Sequence, residues 1–166
     1  MIKNIIKTFL IILIFQISLQ ARQININKSV NDAKKNDKHL FVWLHKTDCG
    51  YCESMKEFTL QNETIKSFID KHFIFIHINV REKDKIIYND FEGDGRAFAQ
   101  KIRYDFYPSS IFFDDNGSIV YAEVGYRDNS KLPNEKRFYR ILNFIESNSY
   151  KKMDYEDYEF DIQEEL

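Results

Sequence analysis

Residues 41–52 read FVWLHKTDCGYC, an apolar run that gives way to charge and closes on a C-x-x-C pair. These two cysteines are the only ones in a chain of 166 residues. His39–His45 is almost continuously apolar and bounded by charges, which predicts a strand buried on both faces. From Cys49 to Leu60, Cys52, Met55 and Phe58 recur at helical spacing, which predicts a helix opening at Cys49. A strand that feeds a helix at that point sets the Cys49 sulfur among unpaired backbone N–H groups at the positive end of the helix dipole. Both favour a thiolate, the nucleophile of disulfide exchange, and draw its pKa below the free value of about 8.5. Cys52 falls one turn further in, deeper and placed to attack a mixed disulfide formed on Cys49. Gly50 leaves access open, and Tyr51 offers a flat apolar surface beside the attacking sulfur. Lys46 and His45 favour the charged sulfur, whereas Asp48 opposes it.

Two thiols at this spacing also have other uses. Structural zinc closes four ligands, and a second cysteine pair is missing. His39, His45, His72 and His77 lack finger-like spacing, so no metal site is expected. A soft dithiol also suits Cu(I), so a copper-binding chaperone stays open. A purely structural bond across so short a loop would add little chain-entropy stabilisation. The expected cofactor is therefore none beyond the redox-active disulfide itself.

Working outward, Ser29 with Asp32 resembles a helix start and predicts a short polar helix before the first strand. Asn62 is set to cap a helix carrying Ile65, Phe68 and Ile69. FIFIHINV at 73–80 predicts a second buried strand, and REKDKIIYNDFEGDG at 81–95 reads as a loop. A helix around Ala97, Phe98 and Ile102 follows. Ser110–Phe113, the Asn116-Gly117 turn and Ile119–Val124 predict a terminal hairpin. Asn134 is set to cap a last helix with Phe138, Ile141, Leu142 and Ile145. Strand–helix–strand alternation argues for a three-layer α/β/α sandwich, a mixed sheet with parallel core strands and a C-terminal antiparallel hairpin.

Composition suits one domain: 43% hydrophobic, 16% aromatic, fifteen Phe and only five Gly. The net charge of −2 conceals a body of about +3 over residues 22–152 and a final stretch, MDYEDYEFDIQEEL, with seven acids and no base. The body lacks a basic stripe, so nucleic acid is not an expected partner. Residues 150–166 are expected to be an acidic, flexible tail, leaving 22–149 as the folded domain.

Lys3 and Lys7 precede the apolar run Phe9–Phe15, and the exit at Ser18, Gln20 and Ala21 is more polar. This pattern over 1–21 reads as a secretory signal, too short to span a bilayer comfortably. A cleaved signal predicts a periplasmic protein that is not membrane-embedded; an uncleaved anchor facing the periplasm is the alternative. The C-terminal QEEL distantly resembles an ER retrieval signal, which keeps the ER lumen open.

With FVWLHKTDCGYC, FIFIHINV, YDFYPSSIFFDDNG and the glycine of EVGY on view, the chain resembles the thioredoxin-like family over roughly Asn27 to Ser147. It is most similar to exported bacterial members of the sulfur-oxidation type. The resemblance implies a thiol–disulfide oxidoreductase, expected as a monomeric reductase of protein or small disulfides, fed by a thiol electron donor. It implies a cis bond before Pro108, a substrate surface including Tyr107, Pro108 and Gly125, and backbone near Tyr107 able to pair with an extended peptide. The chain also departs from the family. The buried acid found in many members six residues before the first cysteine is Trp43 here, and its companion lysine is replaced by His77, a candidate proton relay. Asp48 stands in place of the usual Trp. A redox-inert adaptor using only the groove remains a third reading.

Overall fold

A computed structural model describes residues 22–127 and 134–164. The expected signal segment at 1–21 lies outside the described residues. In chain order the elements are β1 (Gln23–Asn25), α1 (Ile26–Lys35), β2 (His39–His45), α2 (Gly50–Met55), a π-helical continuation (Lys56–Leu60), α3 (Glu63–His72) and β3 (Phe73–Asn79). There follow β4 (Lys85–Tyr88), β5 (Phe91–Gly93), α4 (Gly95–Lys101), β6 (Ser109–Phe113), β7 (Ile119–Val124), α5 (Asn134–Glu146) and α6 (Tyr155–Glu164).

Four strands form one sheet in the order β3-β2-β6-β7. β2 runs parallel to β3 and antiparallel to β6, and β6 and β7 pair as the expected hairpin. The sheet is mixed, as expected, but its parallel part is a single pair. Alternation along β2 explains why that strand reads as apolar throughout. Phe41 and Trp43 pack on one side with α2, α3, α5 and Tyr155 of α6. Leu40, Val42 and Leu44 pack on the other with α1 and α4. Phe41 stacks on its register partner Phe112 at 4.8 Å between centroids, and both are fully buried. Burying each ring is worth about 1.5–3 kcal/mol.

Several expectations are corrected. The segment read as a loop at 81–95 contains β4 and β5, which join β1 in a second, three-stranded sheet. Each strand in it is only three or four residues long, too short for periodicity to show. β3 is an edge strand rather than one buried on both faces, with Phe75 and His77 exposed. Its apolar composition comes from Ile74, Ile76 and Ile78 on one covered face and from Phe73, buried on the other. The first helix starts earlier than Ser29, with Asn25 Oδ1 accepting from the Lys28 N–H. Asn62 does cap α3, accepting from the N–H groups of Thr64 and Ile65.

The helix opening at Cys49 does not stay α-helical. The π-helical turn at Lys56–Leu60 rotates Thr59 inward and leaves Phe58 57% exposed. Thr59 Oγ1 there accepts from Asn134 Nδ2 at 2.7 Å, so Asn134 anchors the start of α5 to this turn. The acidic C-terminus differs from a flexible tail. α6 packs Tyr155 against Tyr121 and Phe144, and Tyr155 is buried. The aromatics interleaved with the acids supply that face, so charge alone misreads the segment.

Gly95 shows how closely α4 approaches β3. A Cβ there would come within 2.8 Å of Ile78 Cγ2 and 3.3 Å of Val80 Cα.

Candidate active site

β2 ends at His45, and the chain turns through Asp48 in the left-handed region (φ 55°) before entering α2. Aspartate tolerates that conformation better than most residues, because its short side chain bonds locally. Cys49 is the N-cap, and its sulfur accepts from the Cys52 N–H at 3.2 Å. Cys49 and Cys52 form a disulfide, with an S–S distance of 2.16 Å and Cα atoms 5.2 Å apart. Cys49 is 7% exposed and Cys52 1%, so Cys49 is the outer of two buried residues.

The opposite wall comes from the segment before β6. The Tyr107–Pro108 peptide is cis, and Pro108 is buried. Tyr107 O lies 3.9 Å from Cys49 Sγ. Pro108 O accepts from the Gly125 N–H at 2.7 Å, which ties the end of β7 to this wall. Gly125 has φ +87°, a conformation that requires glycine although the space around it is open. Lys46 Nζ sits 5.8 Å above the Tyr107 ring, and burial pushes the Tyr107 phenol up.

The structure therefore brings Cys49, Cys52, Tyr107, Pro108 and Gly125 together. Gly50 and Tyr51 border the disulfide and are exposed, Tyr51 by 68%. An added Cβ at Gly50 would meet nothing, in keeping with open access there. Phe106, 72% exposed beside Tyr107, is a feature the sequence reading missed. The signal for it was an aromatic run, DFYP, in a segment with no strand or helix period to bury it.

The charges around the dithiol differ from expectation. Asp48 is paired with Arg81, Oδ2 to Nη1 at 2.8 Å, which offsets its opposition to a thiolate. No local pattern flags that partner, since it is supplied by the turn after β3. Burial, together with His77, pushes His45 down to about 4, so it is neutral near pH 7 and supplies none of the expected positive charge. His45 stacks on Trp43 at 4.3 Å between centroids, and its Nε2 lies 3.5 Å from His77 Nδ1. His77 thus faces solvent beside His45 rather than filling the core.

The residues found here agree with what the chain is similar to. A family model described as a thioredoxin-like domain matches residues 26–138, and the chain belongs to that family. The fold matches a thioredoxin-fold protein from Helicobacter pylori, with TM-score 0.56, 23% identity and coverage of 77% of this chain and 81% of that one. It also matches a thioredoxin from Thermus thermophilus, with TM-score 0.54, 18% identity and coverage of 76% and 88%. Among curated proteins, mouse anterior gradient protein 3 is 28% identical over 100 residues, covering 60% of this chain and 52% of the relative. The chain spans about half the length of the curated relatives it matches. A thioredoxin-like fold carrying a C-x-x-C disulfide fits a thiol–disulfide oxidoreductase.

Among the described residues no helix is long and apolar enough to cross a membrane. No group of three or more His, Cys, Asp or Glu among them is arranged to hold a metal.

Proposed function

We propose that the protein is an exported, monomeric disulfide reductase that works through the Cys49–Cys52 dithiol. The carrying observation is the disulfide itself, joining the helix N-cap sulfur of Cys49, 3.9 Å from Tyr107 O, to the sulfur of buried Cys52. The helical segment from Gly50 to Leu60 directs the Cys52 N–H at Cys49 Sγ. In the reduced protein the same donor stabilises a Cys49 thiolate more than a thiol.

That thiolate attacks one sulfur of a substrate disulfide. A Cys49–substrate bond forms, and the other substrate sulfur leaves as a thiolate that takes a proton from water. Cys52, deprotonated in turn, attacks Cys49 Sγ, restores the Cys49–Cys52 bond and expels the second substrate sulfur. Two electrons pass from protein to substrate. A dithiol donor returns them by the reverse exchange, and no cofactor other than the disulfide is needed.

Substrates in this reading are protein or small disulfides presented in extended form against Tyr51, Phe106, Tyr107 and Gly125. His77, exposed beside His45, is the group available to pass a proton to solvent. The signal-like N-terminus supports export to a periplasm, where disulfides persist and reduction has substrates. Insulin reduction by a dithiol donor tests the reading. Wild type should accelerate it and Cys49→Ser should not; equal rates would refute the proposal, and tight Cu(I) binding without turnover would favour a copper chaperone.

A further inference from the structure

Two buried polar atoms among the described residues have no hydrogen-bond partner: Trp43 Nε1 and Ser110 Oγ. Trp43 is 5% exposed and Ser110 fully buried. They are register partners across β2 and β6. Alternation puts Trp43 on the face of Phe41 and Ser110 on the face of Phe112, and those two rings stack on the side where Cys49, Cys52 and Met55 pack. Ser110 is also two residues beyond cis Pro108, the wall of the site. Chance does not favour two adjacent unpaired donors on the sheet face that carries the disulfide, because buried polar groups are nearly always satisfied.

An indole N–H only donates, and a serine hydroxyl can donate. A disulfide sulfur is a poor acceptor, whereas a thiolate is a strong one. We propose that Trp43 and Ser110 are positioning residues for the resolving cysteine, donating to Cys52 Sγ once the disulfide opens. The inference rests on the dithiol reading above. Reduction by two molecules of glutathione breaks the Cys49–Cys52 bond and forms one glutathione disulfide. The two protein sulfurs then hold the transferred electron pair, and their two protons are shared with solvent. Donation from Trp43 and Ser110 lets Cys52 release its proton while buried.

Titratable groups gather at the neighbouring His45 of β2: His77 of β3, Glu82 of the turn after it, and Glu53 and Lys56 of the helical segment around α2. Glu123 of β7 is the next register partner of Ser110, but it is already held by Arg137 and Tyr121. None of these relieves the two unpaired atoms.

The test titrates Cys52 by thiolate absorbance in the Cys49→Ser protein, alone and with Trp43→Phe or Ser110→Ala. The expected result is a Cys52 pKa higher by about one unit in either combination, a tenfold loss of thiolate below the pKa. Unchanged pKa values in folded variants overturn the proposal, even where melting temperature falls, since packing alone would move only stability. Should Trp43→Phe not fold, Ser110→Ala carries the test. The titration needs no turnover, so its outcome is separate from that of insulin reduction.

Discussion

Tyr107 O stands 3.9 Å from Cys49 Sγ across a sequence separation of 58 residues. That proximity comes from the β2·β6 pairing, which sets Leu44 opposite Ser109 and so brings the end of β2 to the start of β6. The attacking sulfur and the peptide proposed to dock substrate are therefore fixed by one sheet. For Cys52→Ser the account predicts a stable mixed disulfide between Cys49 and a substrate thiol, seen by mass spectrometry under non-reducing conditions. Absence of any adduct would mean that Cys49 is not the attacking residue.

Gly125→Ala should cost about 1–2 kcal/mol, because alanine at φ +87° sits in the left-handed region. The same change disturbs the Gly125 N–H to Pro108 O bond, so insulin reduction should fall as well. Urea unfolding and turnover measured on the same sample check both effects.

Glu123 and Arg137 are a half-buried pair, with side chains 11% and 17% exposed. Replacing Arg137 by Leu leaves the carboxylate with only the Tyr121 hydroxyl and the exposed Arg127 beside it, and stability should fall by about 3 kcal/mol, the low end for breaking a buried pair. Restoration by a second change, Glu123→Leu, distinguishes loss of pairing from loss of packing. Failure of the double variant to recover would point to packing.

Burial, and then the charge of His77, lowers His45 from its ordinary 6.5 to about 4. A depressed histidine binds its proton in the unfolded chain first, so acid favours unfolding. Stability should hold above about pH 6.5 and decline as the pH falls toward about 4. His39, also lowered by burial, adds to the slope in the same direction. His45→Gln should flatten the decline between neutral pH and about pH 5, read as the urea midpoint. An unchanged slope would contradict the assignment.

Much of this was legible because the relevant signals are local. The apolar run of β2, the C-x-x-C spacing, the Asn116-Gly117 turn and Asn62 as a cap each sit within a few residues. The disulfide partners and the cis Tyr107–Pro108 bond were likewise expected. What escaped depends on distant partners. Arg81 reaches Asp48 from another turn, and Asn134 meets Thr59 only after the helix rewinds. The antiparallel direction of β6 follows from how the chain between Gly95 and Ser109 crosses the sheet, which no residue pattern records. α6 was hidden by its acids, although Tyr155 and Tyr158 are spaced to share a helix face.

Tyr155→Ala should lower stability by about 3 kcal/mol, the usual penalty for emptying a buried aromatic site. A negligible change in urea midpoint would mean that α6 is not part of the folded unit.

The most direct measurement is alkylation of the reduced protein by iodoacetamide at neutral pH. Cys49 should react faster than a cysteine in an unstructured peptide, and Cys52 much more slowly, as peptide mapping would resolve. Labelling of neither residue above the peptide rate would contradict a charged outer sulfur, and with it the oxidoreductase reading.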